Sequence, residues 1–205
     1  MLDAGCGAGD LTLELVRRGA EVTALDVSEG MVELTRERVE RWLPGANASF
    51  VAAPLERTGL PDGAFDAAAG KWVLHHCDVP PACAELARVV APGGRAVLFE
   101  NQGLNPLLRL ARRRLVGRGP VGSFGTPDER PLERADLEAL ARAFGSLSVE
   151  YPSMYFFELL SRQVLRYRGH RRLQALDALV WRRLPALRRW SYHVLLVAER
   201  TSSRR

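Results

Sequence analysis

Cysteine and lysine are both scarce in this 205-residue chain. The three cysteines, Cys6, Cys77 and Cys83, show no CxxC spacing and no neighbouring ligand cluster. Neither a disulfide framework nor a zinc site is therefore expected, and reduced thiols in a cytoplasmic setting are. No apolar run approaches the roughly 20 residues of a membrane span. Met1-Leu2 is followed at once by Asp3 and a glycine-rich turn, so no signal peptide is expected. Lys71 is the single lysine among 29 basic residues. Arginine use this one-sided points to a GC-rich genome, which makes an arginine count weak evidence for phosphate binding.

What is present is enough for one core: 47% of the residues are hydrophobic, and neither length nor composition demands a second domain. The net charge of +5 is unevenly spread, because the segment after Tyr151 carries 12 arginines against Glu158, Asp177 and Glu199. Basicity is thus a C-terminal property. The basic residues lack the interleaved aromatic or groove-reading pattern of a nucleic-acid module, and no nucleic-acid partner is expected.

Short apolar runs alternate with amphipathic stretches, which implies β–α units and a mostly parallel sheet. Strands are expected at 2–4, 21–25, 49–53, 65–69 and 95–100, with helices at 10–18, 29–42 and 81–90. Ser28 is the expected N-cap of the second helix, and Pro61-Asp62-Gly63 and Pro92-Gly93-Gly94 are expected turns. After Glu100 the rhythm breaks. Residues 101–133 read as an insertion with a basic helical piece at 107–116, before a helix at 134–144. A terminal strand pair, 147–151 and 192–199, is separated by a second, basic helical insertion over 152–191. There Leu173, Leu176, Val180 and Leu184 share one helical face among arginines.

The decisive constellation is Leu2-Asp3-Ala4-Gly5-Cys6-Gly7-Ala8-Gly9-Asp10, a strand end, a GxGxG turn and a helix start. Glycines let the backbone approach a ligand where a Cβ would collide, and the following helix offers unpaired N–H groups. A second strand ends at Asp26, whose carboxylate can accept from two ribose hydroxyls, so the two elements together define a nucleoside site. The GxGxG spacing and the acidic Asp3 argue against a dinucleotide.

With Ala24-Leu25-Asp26-Val27-Ser28, Leu60-Pro61-Asp62-Gly63-Ala64-Phe65-Asp66, Leu74-His75-His76 and Arg88-Val89-Val90-Ala91-Pro92-Gly93-Gly94 in order behind that turn, the sequence resembles a class I S-adenosylmethionine (SAM) dependent methyltransferase. The likeness is to the broad small-molecule group that includes quinone-biosynthesis enzymes. It implies a Rossmann-like α/β sheet, mostly parallel with an antiparallel last strand, with helices on both faces. It also implies SAM as cofactor, with S-adenosylhomocysteine as product. By the same resemblance Asp3 and the backbone of Gly5, Cys6, Gly7 and Gly9 hold the methionine end. Asp26 takes the ribose, and Val27, Met31 and the backbone at Leu55 face adenine. Relatives often carry an acidic residue where this chain has Ala53-Pro54-Leu55, and that departure keeps an inactive SAM-binding interaction protein open as an alternative. First strands of this fold normally begin earlier, after helices that cover SAM, and an N-terminally truncated chain is the expectation.

Methyl transfer chiefly needs alignment and exclusion of water. Lys71 and Trp72 follow a strand to the carboxyl edge of the sheet, where Trp72 can wall cofactor or acceptor. Lys71, His75 and His76 are the candidate bases, although the two histidines fit equally a role in capping the next segment. His170 and His193 do not suggest catalysis. Acceptor contacts are expected from Glu100, Asn101, Asn105 and Arg109, with Arg112, Arg113 and Arg114 on the next turns. A small or lipid-like acceptor, peripheral contact of 152–190 with the inner membrane surface, and a homodimer complete the expected partners.

Overall fold

The computed structural model describes residues 1–115 and 130–202. Residues 116–129 of the expected 101–133 insertion lie outside the described residues, as do the side chains of Arg112 and Arg113. Seven strands form one sheet: β1 Leu2–Ala4, β2 Val22–Asp26, β3 Ala48–Ala52, β4 Phe65–Lys71, β5 Val90–Asn101, β6 Gly145–Glu150 and β7 His193–Arg200, in the order β3-β2-β1-β4-β5-β7-β6. The first five pair in parallel; β7 runs antiparallel between β5 and β6. The helices are α1 Asp10–Arg17, α2 Glu29–Trp42, α3 Val79–Val89, α4 Pro106–Leu115, α5 Arg134–Phe144, α6 Phe157–Gln163 and α7 His170–Arg183.

Several starts follow local chemistry. Ser28 Oγ accepts from Met31 N at 3.4 Å and opens α2. Pro80 and Pro81 lie in the first turn of α3, where a missing N–H costs nothing. That helix therefore begins two residues before the expected start. Asp136 Oδ2 accepts from Glu133 N at 2.7 Å in a capping box at the head of α5. The expected Pro92-Gly93-Gly94 turn lies inside β5, where the ladder with β4 shifts register between Phe65 and Ala67.

Right-handed crossovers place α1 and α2 on one face of the sheet and α3 and α5 on the other, because the strand order runs outward in opposite directions from β1 and β4. The core lies on the α3–α5 side: Ala96 and Leu98 of β5 and Val194, Leu196 and Ala198 of β7 are buried with Leu86, Leu140 and Phe144. On the opposite side Val97, Phe99, Leu195 and Val197 are only half-buried. The order reverses between β1 and β4, and their carboxyl ends define the crevice in which such sheets bind ligands.

Beyond β6, the Asp177 carboxylate of α7 accepts from the backbone N–H groups of Phe156, Phe157 and Glu158 at 2.7–3.0 Å and fixes the head of α6. Trp181 Nε1 donates to Tyr151 O at 2.8 Å. Among the described residues no helix is long and apolar enough to cross a membrane.

Candidate cofactor and acceptor site

The site begins where β1 ends. Gly5 N and Cys6 N both donate to Leu25 O, at 2.8 and 2.9 Å, so the glycine turn folds over the end of β2. Asp26 then joins the two: Oδ2 accepts from Gly7 N and Oδ1 from Ser28 N, each at 2.9 Å. A carboxylate has about four lone-pair positions, which leaves Asp26 capacity for further donors. Thr35 Oγ1 donates to Gly7 O at 2.8 Å, and the Arg38 guanidinium donates to Ala8 O and pairs with Asp10 at 2.9 Å, so α2 braces the turn from behind.

The glycines divide by role. Gly5 (φ +73°) and Gly9 (φ +82°) are in the left-handed region, and a Cβ on either would lie 2.5 Å from Val73 or 2.8 Å from Thr35. They are required by packing within the protein. Gly7 (φ +49°) has nothing within 4 Å of where its Cβ would stand, so its open side is the one a ligand can approach.

Asp3 is fully buried in β1. Its Oδ2 accepts from Thr12 Oγ1 at 2.5 Å, while Oδ1 is buried without a partner. Burial pushes its carboxyl up to about 6, against the opposing Thr12 hydrogen bond. An orphaned, desolvated carboxylate oxygen beside an open backbone turn fits a ligand carrying positive charge. Val27 (73% exposed) and Met31 (42%) stand open beyond Asp26.

Other expected residues have different surroundings. Cys6 is buried, and its thiol is pushed up to about 11 by burial. Leu55 belongs to the hydrophobic core, so its side chain is not an adenine wall. Glu100 does not face an acceptor cleft: it is fully buried, with Oε1 accepting from Val73 N and Leu74 N at 2.8 Å and Oε2 bound to His75 Nδ1 at 2.7 Å. That carboxylate holds the turn after β4, and it locks His75 into a buried pair, whereas His76 is exposed and stacks on His75 at 4.2 Å. Asn105 is likewise buried: Oδ1 caps α4 through Leu107 N and Leu108 N, and Nδ2 donates to Trp190 O at 2.6 Å. Arg109 is exposed on α4. Asn101, on the half-buried side of β5, keeps a buried Oδ1 without a partner.

Lys71 and Trp72 are exposed at the carboxyl end of β4, with Lys71 Nζ 4.2 Å from the Trp72 ring centre. Thr12, Thr35 and Val73 support the site without having been singled out in the sequence. Thr12, a polar residue on the inward face of α1, was the one legible signal. Phe99, Tyr155 and His193 gather beside Trp72, and the trace they leave in sequence is a histidine breaking an apolar strand pattern.

Residues 2–98 match the model of a family described as a methyltransferase domain. A 2-phytyl-1,4-naphtoquinone methyltransferase of Nostoc punctiforme is 36% identical over 170 residues, covering 74% of each chain. A malonyl-[acyl-carrier protein] O-methyltransferase of Serratia marcescens is 36% identical over 127 residues, 60% of this chain and 47% of that protein. With several other curated relatives, too, the match spans about half their length. A geranyl diphosphate C-methyltransferase from Streptomyces coelicolor A3(2) shares the fold, with a TM-score of 0.62 at 17% identity, covering 98% of this chain and 70% of that one.

The glycine division is testable by chemical denaturation. Gly7→Ala should cost about 1–2 kcal/mol for a left-handed alanine. Gly5→Ala should cost about 1–3 kcal/mol more, from the added collision with Val73. Equal losses would remove the distinction.

Proposed function

Because the chain belongs to the class I SAM-dependent methyltransferases, we propose that it transfers the methyl group of SAM to an oxygen, nitrogen or carbon atom of a small lipophilic or natural-product acceptor. The observation that carries this proposal is the buried Oδ1 of Asp3, without a partner among the described residues, on the strand that leads into the glycine turn with its open Gly7, with Asp26 at the end of the neighbouring strand. In this proposal Asp3 and the Gly7 turn hold the cationic methionine end, Asp26 receives the ribose hydroxyls, and Val27 and Met31 flank adenine. When bound, SAM supplies a methyl group on a sulfonium that is already a good leaving group. The protein then has to align the acceptor and exclude water, an effect that can supply roughly 7–11 kcal/mol. For acceptors that must lose a proton, Lys71 and exposed His76 are the available bases. His75 acts through its buried pair with Glu100 as a support. The two curated relatives are named for a phytylated naphthoquinone and for malonyl-[acyl-carrier protein], and a lipophilic acceptor is in keeping with the former. Three free cysteines accord with a cytoplasmic setting.

The alternative, a SAM-binding protein without catalysis, draws on Ala53-Pro54-Leu55, where Leu55 is core and no carboxylate stands. Calorimetry with SAM and S-adenosylhomocysteine, followed by an S-adenosylhomocysteine release assay across acceptor classes, separates the two. Asp26→Ala should weaken both ligands by about 10–100-fold, the loss of hydrogen bonds to a charged group. Wild-type affinity in that variant would refute the ribose assignment.

Peripheral membrane contact through 152–190 is part of the same proposal. Leu160, Val164, Leu165, Leu179 and Leu184 are exposed there, and Arg166, Arg168, Arg171, Arg172, Arg182 and Arg183 are exposed among them. Apolar side chains bordered by arginine suit an anionic interface. The protein should float with anionic but not neutral liposomes, and charge reversal at Arg171, Arg172, Arg182 and Arg183 should abolish flotation. Unaltered flotation would sink this part, and self-association without lipid binding would assign the same surface to a homodimer.

A further inference from the structure

Four chain segments that are far apart in sequence converge at the carboxyl edge of the sheet next to the glycine turn. The end of β4 brings Lys71 and Trp72, the end of β5 brings Phe99 and Asn101, the connection after β6 brings Tyr155, and the start of β7 brings His193. Their rings form a continuous group. Trp72 lies 6.2 Å from Phe99 and 6.4 Å from His193, His193 lies 5.0 Å from Phe99, and Tyr155 lies 4.7 Å from His193. None of the four rings is buried in the core, and Trp72 is 44% exposed.

Backbone strain marks the same place. Trp72 (φ +58°) and Tyr155 (φ +51°) are two of only four non-glycine residues in the left-handed region among the described residues. Bulky aromatic residues hold that conformation at a cost, and such strain concentrates at ligand sites. Trp72 is held in it by its N–H, which donates to Phe99 O at 2.8 Å, and by Glu100 gripping Val73 N and Leu74 N behind it.

The polar groups are sparse and point to one kind of ligand. Lys71 lies above the Trp72 ring and makes no ion pair among the described residues. Burial, assisted by the Lys71 charge, drives the His193 imidazole down to about 4, so at neutral pH it is an uncharged ring with one donor and one acceptor. Asn101, paired across the ladder with His193, adds a buried Oδ1 that has no partner among the described residues. Lys71 over the Trp72 ring and the Arg162 guanidinium, which donates to Tyr155 Oη, give the aromatic group positive charge, which favours a flat π face with a negative end.

We propose that Trp72, Phe99, Tyr155 and His193 wall the acceptor subsite, with Lys71 at its charged end, and that this subsite takes a planar aromatic or conjugated molecule carrying an anionic oxygen. The assignment rests on the methyl-transfer function proposed above and adds to it the acceptor's shape, its charge and the residues that select it. It gives His193 a specificity-determining role that neither its position in sequence nor the cofactor turn would suggest.

The test uses the full chain and titrates naphthalene-2-carboxylate calorimetrically with and without saturating S-adenosylhomocysteine. Two comparators accompany it: the saturated decalin-2-carboxylate, and the cationic naphthalen-2-ylmethylamine. The planar anion should bind saturably, and each comparator at least tenfold more weakly. Tyr155→Ala and His193→Leu should each weaken the planar anion about tenfold while S-adenosylhomocysteine affinity stays at the wild-type value. Should His193→Leu fail to fold, Tyr155→Ala, in a connecting segment, carries the comparison. The proposal is overturned if a chain that binds S-adenosylhomocysteine ignores naphthalene-2-carboxylate, if the saturated or cationic comparator binds equally well, or if folded variants retain wild-type affinity for the planar anion. Absence of S-adenosylhomocysteine binding alongside saturable, variant-sensitive naphthoate binding would refute the methyltransferase function while supporting the subsite.

Discussion

A charged side chain in the wrong solvent organises this protein. Asp3 sits on the shortest strand of the sheet, between β2 and β4, where all three residues are buried. Only one of its oxygens has a partner, Thr12. An ionised carboxylate deprived of water is costly unless it is paired, and burial accordingly raises its pKa to about 6. Core physics alone would place an apolar residue here, as at Leu2 and Ala4 on either side. A ligand that brings positive charge to the end of β1 reduces the cost, and the space beside Gly7 lies in the turn that follows that strand. The Asp26 bonds to Gly7 N and Ser28 N hold that turn against the end of β2.

The fold around the proposed cofactor site was largely legible in sequence because its signals are local. Ser28, the exact extent of α2 and of α5, the glycine turn and Asp26 are all set by neighbours within a few residues. Gly5 and Gly9 were legible as glycines but not as packing glycines. Their constraints are Val73 and Thr35, which arrive from other elements. Glu100 shows the same boundary. In β5 the residues on both sides of the strand are apolar, so alternation could not tell which face Glu100 takes, and only the assembled sheet places it inward with Leu98 and Ala96. Leu55 was expected at adenine through its backbone, and its side chain joins the core cluster that includes Val79 and against which Leu60 packs.

The proposed acceptor side was hardest to read, for a related reason. Gln102 and Asn105, just beyond β5, donate to the carbonyls of Arg189, Trp190 and Ser191, more than 80 residues away in sequence. These bonds tie the segment after β5 to the one before β7. They bring Tyr155 and His193 to Trp72 in a way that no spacing in the sequence announces. The basic composition of 152–191 drew attention to arginine, whereas the segment meets the ring group through Tyr155 and leaves most of its arginines exposed. Charge and rings thus serve different surfaces of one insertion, with Asp177 capping α6 to hold the unit together.

The central claim is that Asp3 awaits a cation, and proton exchange on SAM binding tests it most directly. At pH 5.5 the free protein holds Asp3 mostly protonated, since its pKa is raised to about 6. A positive ligand beside Oδ1 lowers that pKa, so binding expels the proton; at pH 7.5 the group is already ionised and has little to release. Calorimetric titration of SAM at each pH in buffers of different ionisation enthalpy should show up to about three-quarters of a proton released from Asp3 at pH 5.5, far less at pH 7.5, and this release lost in Asp3→Asn. Binding at pH 5.5 without proton release, or with the same release in Asp3→Asn, would contradict the account.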